Sequence, residues 1–120
     1  MGMKVLKTLS RVYVEDLEEH LDFYEKLLGM KVEMRIPMPE VGLELAQIDD
    51  ILIIAGLEQA LKPFKRTQAT FLVDSVEDYH SFLEENGSRI IRGPQKVPTG
   101  VNMTVQHPDG SILEYVQHIQ

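Results

Sequence analysis

The order of elements in the first half of the chain recurs in the second half, and any fold must accommodate that repeat. Lys4–Val14 is rich in Val, Leu and Thr and reads as a strand. Asp16-Leu17-Glu18-Glu19 has the form of a capping box, and Leu17, Leu21, Tyr24 and Leu28 follow at helical spacing up to Gly29. Lys31–Ile36, Leu43–Ile48 and Ile51–Ala55 read as three strands, with Pro37-Met38-Pro39 breaking the first from the second and Asp49-Asp50 turning the second into the third. The second half begins with a strand, Gln68–Val73. Ser75 then caps a helix carrying Val76, Tyr79, Phe82 and Leu83, which Asn86-Gly87 ends. Arg89–Arg92, Val101–Gln106 and Ser111–Val116 read as strands, with Pro108-Asp109-Gly110 turning between the last two. Val14 matches Val73, Glu18 matches Glu77 and Phe23 matches Phe82 at an offset of 59, while Val41 matches Val101 and Asp49 matches Asp109 at 60. The expectation is one domain over 1–120, built from two βαβββ modules (4–56 and 67–118) joined by a linker, Leu57–Arg66.

The 120 residues suit one domain with a core that needs no staples. Absence of cysteine excludes disulfide scaffolds, thiolate metal sites and cysteine nucleophiles. Twelve Lys and Arg against nineteen Asp and Glu give a net charge of −7, which disfavours nucleic-acid and anionic-membrane partners. No apolar run approaches the roughly 20 residues of a membrane span. Met1-Gly2-Met3-Lys4 is not followed by a signal-peptide core, so the protein is expected in the cytoplasm.

Two segments carry a family resemblance. Val14-Glu15-Asp16-Leu17 through Phe23-Tyr24 to Leu28-Gly29 is similar to the signature of the vicinal oxygen chelate superfamily, and so is His107-Pro108-Asp109-Gly110 with the following strand bearing Glu114. This superfamily holds glyoxalases, bleomycin-resistance proteins and extradiol dioxygenases. The resemblance implies an α+β fold in which two modules form a curved eight-stranded mixed sheet, with helices on the convex side and a concave cavity. It also implies a homodimer. In the metalloenzyme members, the first and last strands of each module supply four ligands to one divalent ion. Those positions correspond here to Leu9, Ile54, Gln68 and Glu114, with Lys7 replacing Leu9 if the first strand slips by two residues. Two aliphatic side chains, one amide and one carboxylate do not make a metal site. The expectation is therefore no metal and no cofactor.

Strand alternation sorts the side chains that would face the cavity. Leu9, Arg11 and Tyr13 share one face of the first strand; Gln68, Thr70 and Leu72 share one on the fifth. Leu52 and Ile54 go with Ile112, Glu114 and Val116, and Asn102, Thr104 and Gln106 line the seventh. The expected ligand-binding set is Leu9, Arg11, Tyr13, Ile54, Gln68, Thr70, Asn102 and Glu114, a mixed lining suited to a small organic molecule. Glu114 is the candidate catalytic residue, or else the ion-pair partner of Arg11. Arg11 either anchors a ligand carboxylate or phosphate, or pairs with Glu114 or Glu44. Tyr13 either packs with its hydroxyl at the rim or meets ligand. His20 and His80 fall on outer helix faces, His107 in a turn, and His118 near the C-terminus, where it could reach a partner subunit. The first reading is a metal-independent small-molecule-binding protein of the bleomycin-resistance type. The alternative is a metal-dependent glyoxalase-like lyase, isomerase or dioxygenase using Glu114 with displaced ligands such as His107 or His118.

Overall fold

The computed structural model describes residues 3–119. It has the expected α+β class: eight strands of mixed direction and helices in a βαβββ repeat. The chain divides into two compact units, one of residues 9–66 and the other of residues from 67 onward together with those up to Thr8.

In the unit of residues 9–66, the part of β1 (Val5–Val14) from Leu9 on is followed by α1 (Leu17–Leu28), β2 (Met34–Met38), β3 (Leu43–Ile48) and β4 (Ile51–Gly56). The strand order is β2-β3-β4-β1. β1 and β4 run parallel, from Ser10 opposite Ile51 to Val14 opposite Ala55, and the other pairs are antiparallel. The Asp16 carboxylate accepts the Glu18 N–H at 2.9 Å, satisfying a donor that the first helical turn leaves over. Gly29 ends α1 at φ +67°, a left-handed conformation that glycine adopts without strain. Leu17 and Leu21 pack on Ala46, Ile48, Ile53 and Ala55. Alternation then leaves Leu52 and Ile54 on the face turned away from the helix.

Two sequence expectations need correction in this unit. The second strand begins at Met34 rather than Lys31 and runs through Pro37, which by composition alone reads as a break. Among the described residues β2 pairs only with β3, so Pro37 needs no ladder partner on its outer side. The segment 57–66 is not plain linker: it contains a helical turn, α2 (Glu58–Leu61), whose Leu61 is buried.

In the second unit the strands are β5 (Thr67–Val73), β6 (Arg89–Val97), β7 (Gly100–Gln106) and β8 (Ile112–His118), with α3 (Val76–Glu85) after β5. Their order is β5-β8-β7-β6, with β5 and β8 parallel. Ser75 caps α3 by accepting the Asp78 N–H at 3.1 Å. Val73, Val76, Leu83, Met103, Val105, Leu113 and Tyr115 form the core beneath the helix. Glu114 and Asn102 therefore project from the opposite face. β6 does not stop at Arg92, as the sequence suggests, but continues to Val97, with register shifts that carry it past Gly93-Pro94. Among the described residues, no helix is long and apolar enough to cross a membrane.

Candidate functional site

The second unit places a polar network on the face that carries no helix. Thr70 on β5 lies directly opposite Glu114 on β8, and Asn102 on β7 is its diagonal neighbour, opposite Val116. The Thr70 hydroxyl donates to Glu114 Oε1 at 2.8 Å, and Asn102 Nδ2 donates to Glu114 Oε2 at 2.9 Å. Gln95 Nε2 extends the chain by donating to Asn102 Oδ1 at 3.2 Å. Thr70 is 1% exposed and Asn102 7% exposed, so these polar groups are rigidly committed, whereas Glu114 is only half-buried. Both oxygens of the carboxylate thus accept from neutral donors. Chemically it can accept further N–H or O–H groups or take up a proton.

Gln95 escapes a reading of the sequence because its strand reads as Arg89–Arg92 and ends before it. The signal is the glycine: a Cβ on Gly93 would lie 2.6 Å from the Asn102 carbonyl oxygen, so only glycine lets β6 pass so close to β7.

The expected residues of the first unit behave differently. Arg11 and Tyr13 share a face, as alternation requires, and both turn to the connecting segment. Arg11 Nη1 donates to the Tyr13 hydroxyl at 2.9 Å, and that hydroxyl donates to the Phe64 carbonyl at 2.6 Å. Glu44, one of the carboxylates expected for Arg11, pairs instead with Arg35 at 2.7 Å. Hydrogen bonds from Arg35 to Glu44 and then to Glu18 raise its pKa further above the usual range. An open groove of about 480 Å³ runs along Glu15, Asp16, Leu43, Glu44 and Gly56, and none of the expected site residues lines it.

The histidines take no ligand-like grouping. His80 Nδ1 lies 3.6 Å from Glu84 one turn along α3. His107 does more than occupy its turn: its Nε2 lies 2.7 Å from the Tyr115 hydroxyl, on the helix side of the sheet. Tyr115, packed against Phe71 and Tyr79, has its pKa pushed up to about 12, first by burial and then by Tyr79. An unfolded tyrosine ionises near 10. The fold therefore keeps the proton that the unfolded chain loses between those values. The stability tied to this phenol is complete below about pH 10 and drains away as pH rises toward 12. An alkaline titration at 295 nm is expected to show a late-ionising tyrosine that disappears in Tyr115→Phe.

A paired βαβββ chain with a carboxylate on its last strand, on the face opposite the helices, defines a glyoxalase-like protein. The chain belongs to the Glyoxalase/Bleomycin resistance protein/Dioxygenase superfamily, whose family model matches residues 5–115. A lactoylglutathione lyase of Escherichia coli O157:H7 is 28% identical over 127 residues, covering 96% of this chain and 93% of the lyase. A lactoylglutathione lyase of Neisseria meningitidis serogroup A is 29% identical over 127 residues, covering 96% and 91%. An uncharacterized protein of Methanosarcina mazei has a crystal structure that superposes with a TM-score of 0.92 at 63% identity, covering 97% of this chain and 94% of that one. Methylmalonyl-CoA epimerase of Mycobacterium tuberculosis shares the fold, with a TM-score of 0.76 at 18% identity, covering 97% and 90%.

The superfamily's divalent ion can be tested against the residues present. Leu9 and Ile54 are each 2% exposed and have no lone pair to offer. Gln68 is exposed at the register shift between Thr67 and Ala69. Glu114 is the one carboxylate of the four, and each of its oxygens already accepts a hydrogen bond. This donor set does not fit a zinc-, nickel- or manganese-type site, which needs three or more imidazole or carboxylate ligands. Among the described residues, no group of three or more His, Asp or Glu is arranged to hold an ion elsewhere.

Proposed function

We propose that this chain is a small-molecule-binding protein of the glyoxalase and bleomycin-resistance type that works without the superfamily's divalent ion. The supporting observation is the clamped carboxylate of Glu114, taken together with the aliphatic side chains of Leu9 and Ile54. Glu114 is the polar centre of the site; Thr70 and Asn102 hold it. Leu9, Ile54 and Gln68 contribute contact surface, with Arg11 and Tyr13 as further polar contacts. The ligand is a small organic molecule. The protein acts as a cytoplasmic homodimer, a reading supported by the exposed apolar pair Phe23 and Leu27 on one face of α1, 59% and 64% exposed.

A second reading, a metal-dependent lyase, is favoured by the end-to-end likeness to lactoylglutathione lyases. Metal analysis of tag-free protein separates the two. The proposal expects no stoichiometric zinc, nickel, manganese or iron; one equivalent that is lost in Glu114→Ala would overturn it. A thermal-shift screen of small aromatics, antibiotics and organic acids is expected to find a ligand whose shift is abolished in Glu114→Gln. A hit that stabilises both forms equally would place binding away from Glu114.

A further inference from the structure

We propose that Gln95 is the positioning residue that completes the hydrogen-bond chain whose sense Glu114 sets, by donating to the Asn102 oxygen, an inference that rests on the reading of Glu114 as the polar centre of the site. An asparagine amide has one accepting and one donating end, and the two are nearly equal in shape. Turned one way, Asn102 stabilises the carboxylate. Turned the other way, it sets two acceptors against each other. A carboxylate cannot donate, so Asn102 must point Nδ2 at Glu114 and Oδ1 away from it. Oδ1 then requires a donor, and Gln95 Nε2 supplies it at 3.2 Å.

The backbone is shaped to deliver that donor. Along β6, Arg92 pairs with Thr104 and Gln95 pairs with Asn102, so three steps on β6 span two on β7. The additional residue forms a bulge, a device that re-aims a side chain. Gly93 permits it at φ +85°, with room for no Cβ against the Asn102 carbonyl oxygen and the Met103 Cα. Without the additional residue, pairing in step with Arg92 and Thr104 would set Pro94, which has no side-chain donor, opposite Asn102. The functional consequence is that the Asn102 amide is held with its N–H toward Glu114, whose carboxylate sets the polarity of the site. A ligand group that meets Glu114 must bring an N–H or O–H and is rejected if it offers only acceptors.

The test uses the ligand-free protein, so that it stands or falls separately from the screen above. Gln95→Met keeps length and removes the donor; Gln95→Lys restores a donor with no acceptor. Gln95 lies at the surface, so Gln95→Lys is expected to melt close to the parent and Gln95→Met slightly below it, the cost of the acceptor left on Asn102. In ¹H–¹⁵N spectra, the side-chain amide of Asn102 is expected to show two well-separated proton signals in the parent and in Gln95→Lys. In Gln95→Met both are expected to move upfield, because an amide whose oxygen no longer accepts is a weaker donor to Glu114. Retention of the parent signature in Gln95→Met would overturn the proposal, and so would its loss in both variants, which is the outcome of a packing role alone. If Gln95→Met fails to fold, Gln95→Ala makes the same comparison.

Discussion

Gly100→Ala is expected to lower the melting temperature by about 10–20 °C, the largest effect of any single methyl in this chain. A Cβ at this position would lie 1.9 Å from the Gln117 carbonyl oxygen and 2.9 Å from its carbon. Both atoms belong to backbone, so no side chain can swing aside. The φ of +153° adds a conformational cost for any residue with a Cβ. Relief requires parting β7 from β8 where Gly100 faces His118. That ladder also sets Thr104 opposite Glu114 and Asn102 opposite Val116, so the polar network is expected to loosen with it. Gly110→Ala is the control. Its φ is +93° but nothing lies within 4 Å of the added carbon, so it carries the backbone cost alone, about 1 kcal/mol. Urea melts of the two variants separate steric collision from conformational strain.

Glu114→Gln is expected to destabilise the protein by about 2 kcal/mol, although it changes one atom. The new amide keeps a carbonyl oxygen for the Thr70 hydroxyl and sets its NH₂ against the NH₂ of Asn102. Relief requires the Asn102 and Gln95 amides to turn over together, so that Gln95 Oε1 accepts from Asn102 Nδ2. Adding Gln95→Glu reverses the chain. The carboxylate introduced at position 95 then accepts from Asn102 Nδ2, and Asn102 Oδ1 faces the donor at position 114. The double variant is expected to recover about 1–2 kcal/mol of the loss, a coupling that additive effects would not produce. Denaturant midpoints of the parent, two single variants and the double variant measure it; a coupling of zero would show that the amide is not locked.

The repeat is legible because it depends on local signals. Asp16 and Ser75 both cap helices in the fold, and Gly29 ends one, because a cap is decided by a few neighbouring residues. The face assignments for Thr70, Asn102 and Glu114 follow from the period of two that every strand obeys. What stays hidden depends on register and on competition between partners. Pro37 reads as a break, and the sixth strand as ending at Arg92, because a sequence does not say which strand lies at a margin or where a bulge falls. Glu44 is a plausible carboxylate for Arg11, but Arg35 takes it instead. Nothing in the order of residues ranks two cations competing for one acid. His107 is readable as a turn residue; its bond to Tyr115 requires knowing that Tyr115 turns toward the helix while Glu114 turns away.

Each unit ends its ladder on a strand that carries a proline, β2 in one and β6 in the other, and β6 is bulged twice besides. Such borders make poor templates for another chain's backbone. Backbone pairing between copies along these two strands is thereby disfavoured. Association between copies is steered toward side-chain surfaces, where specificity can be selected.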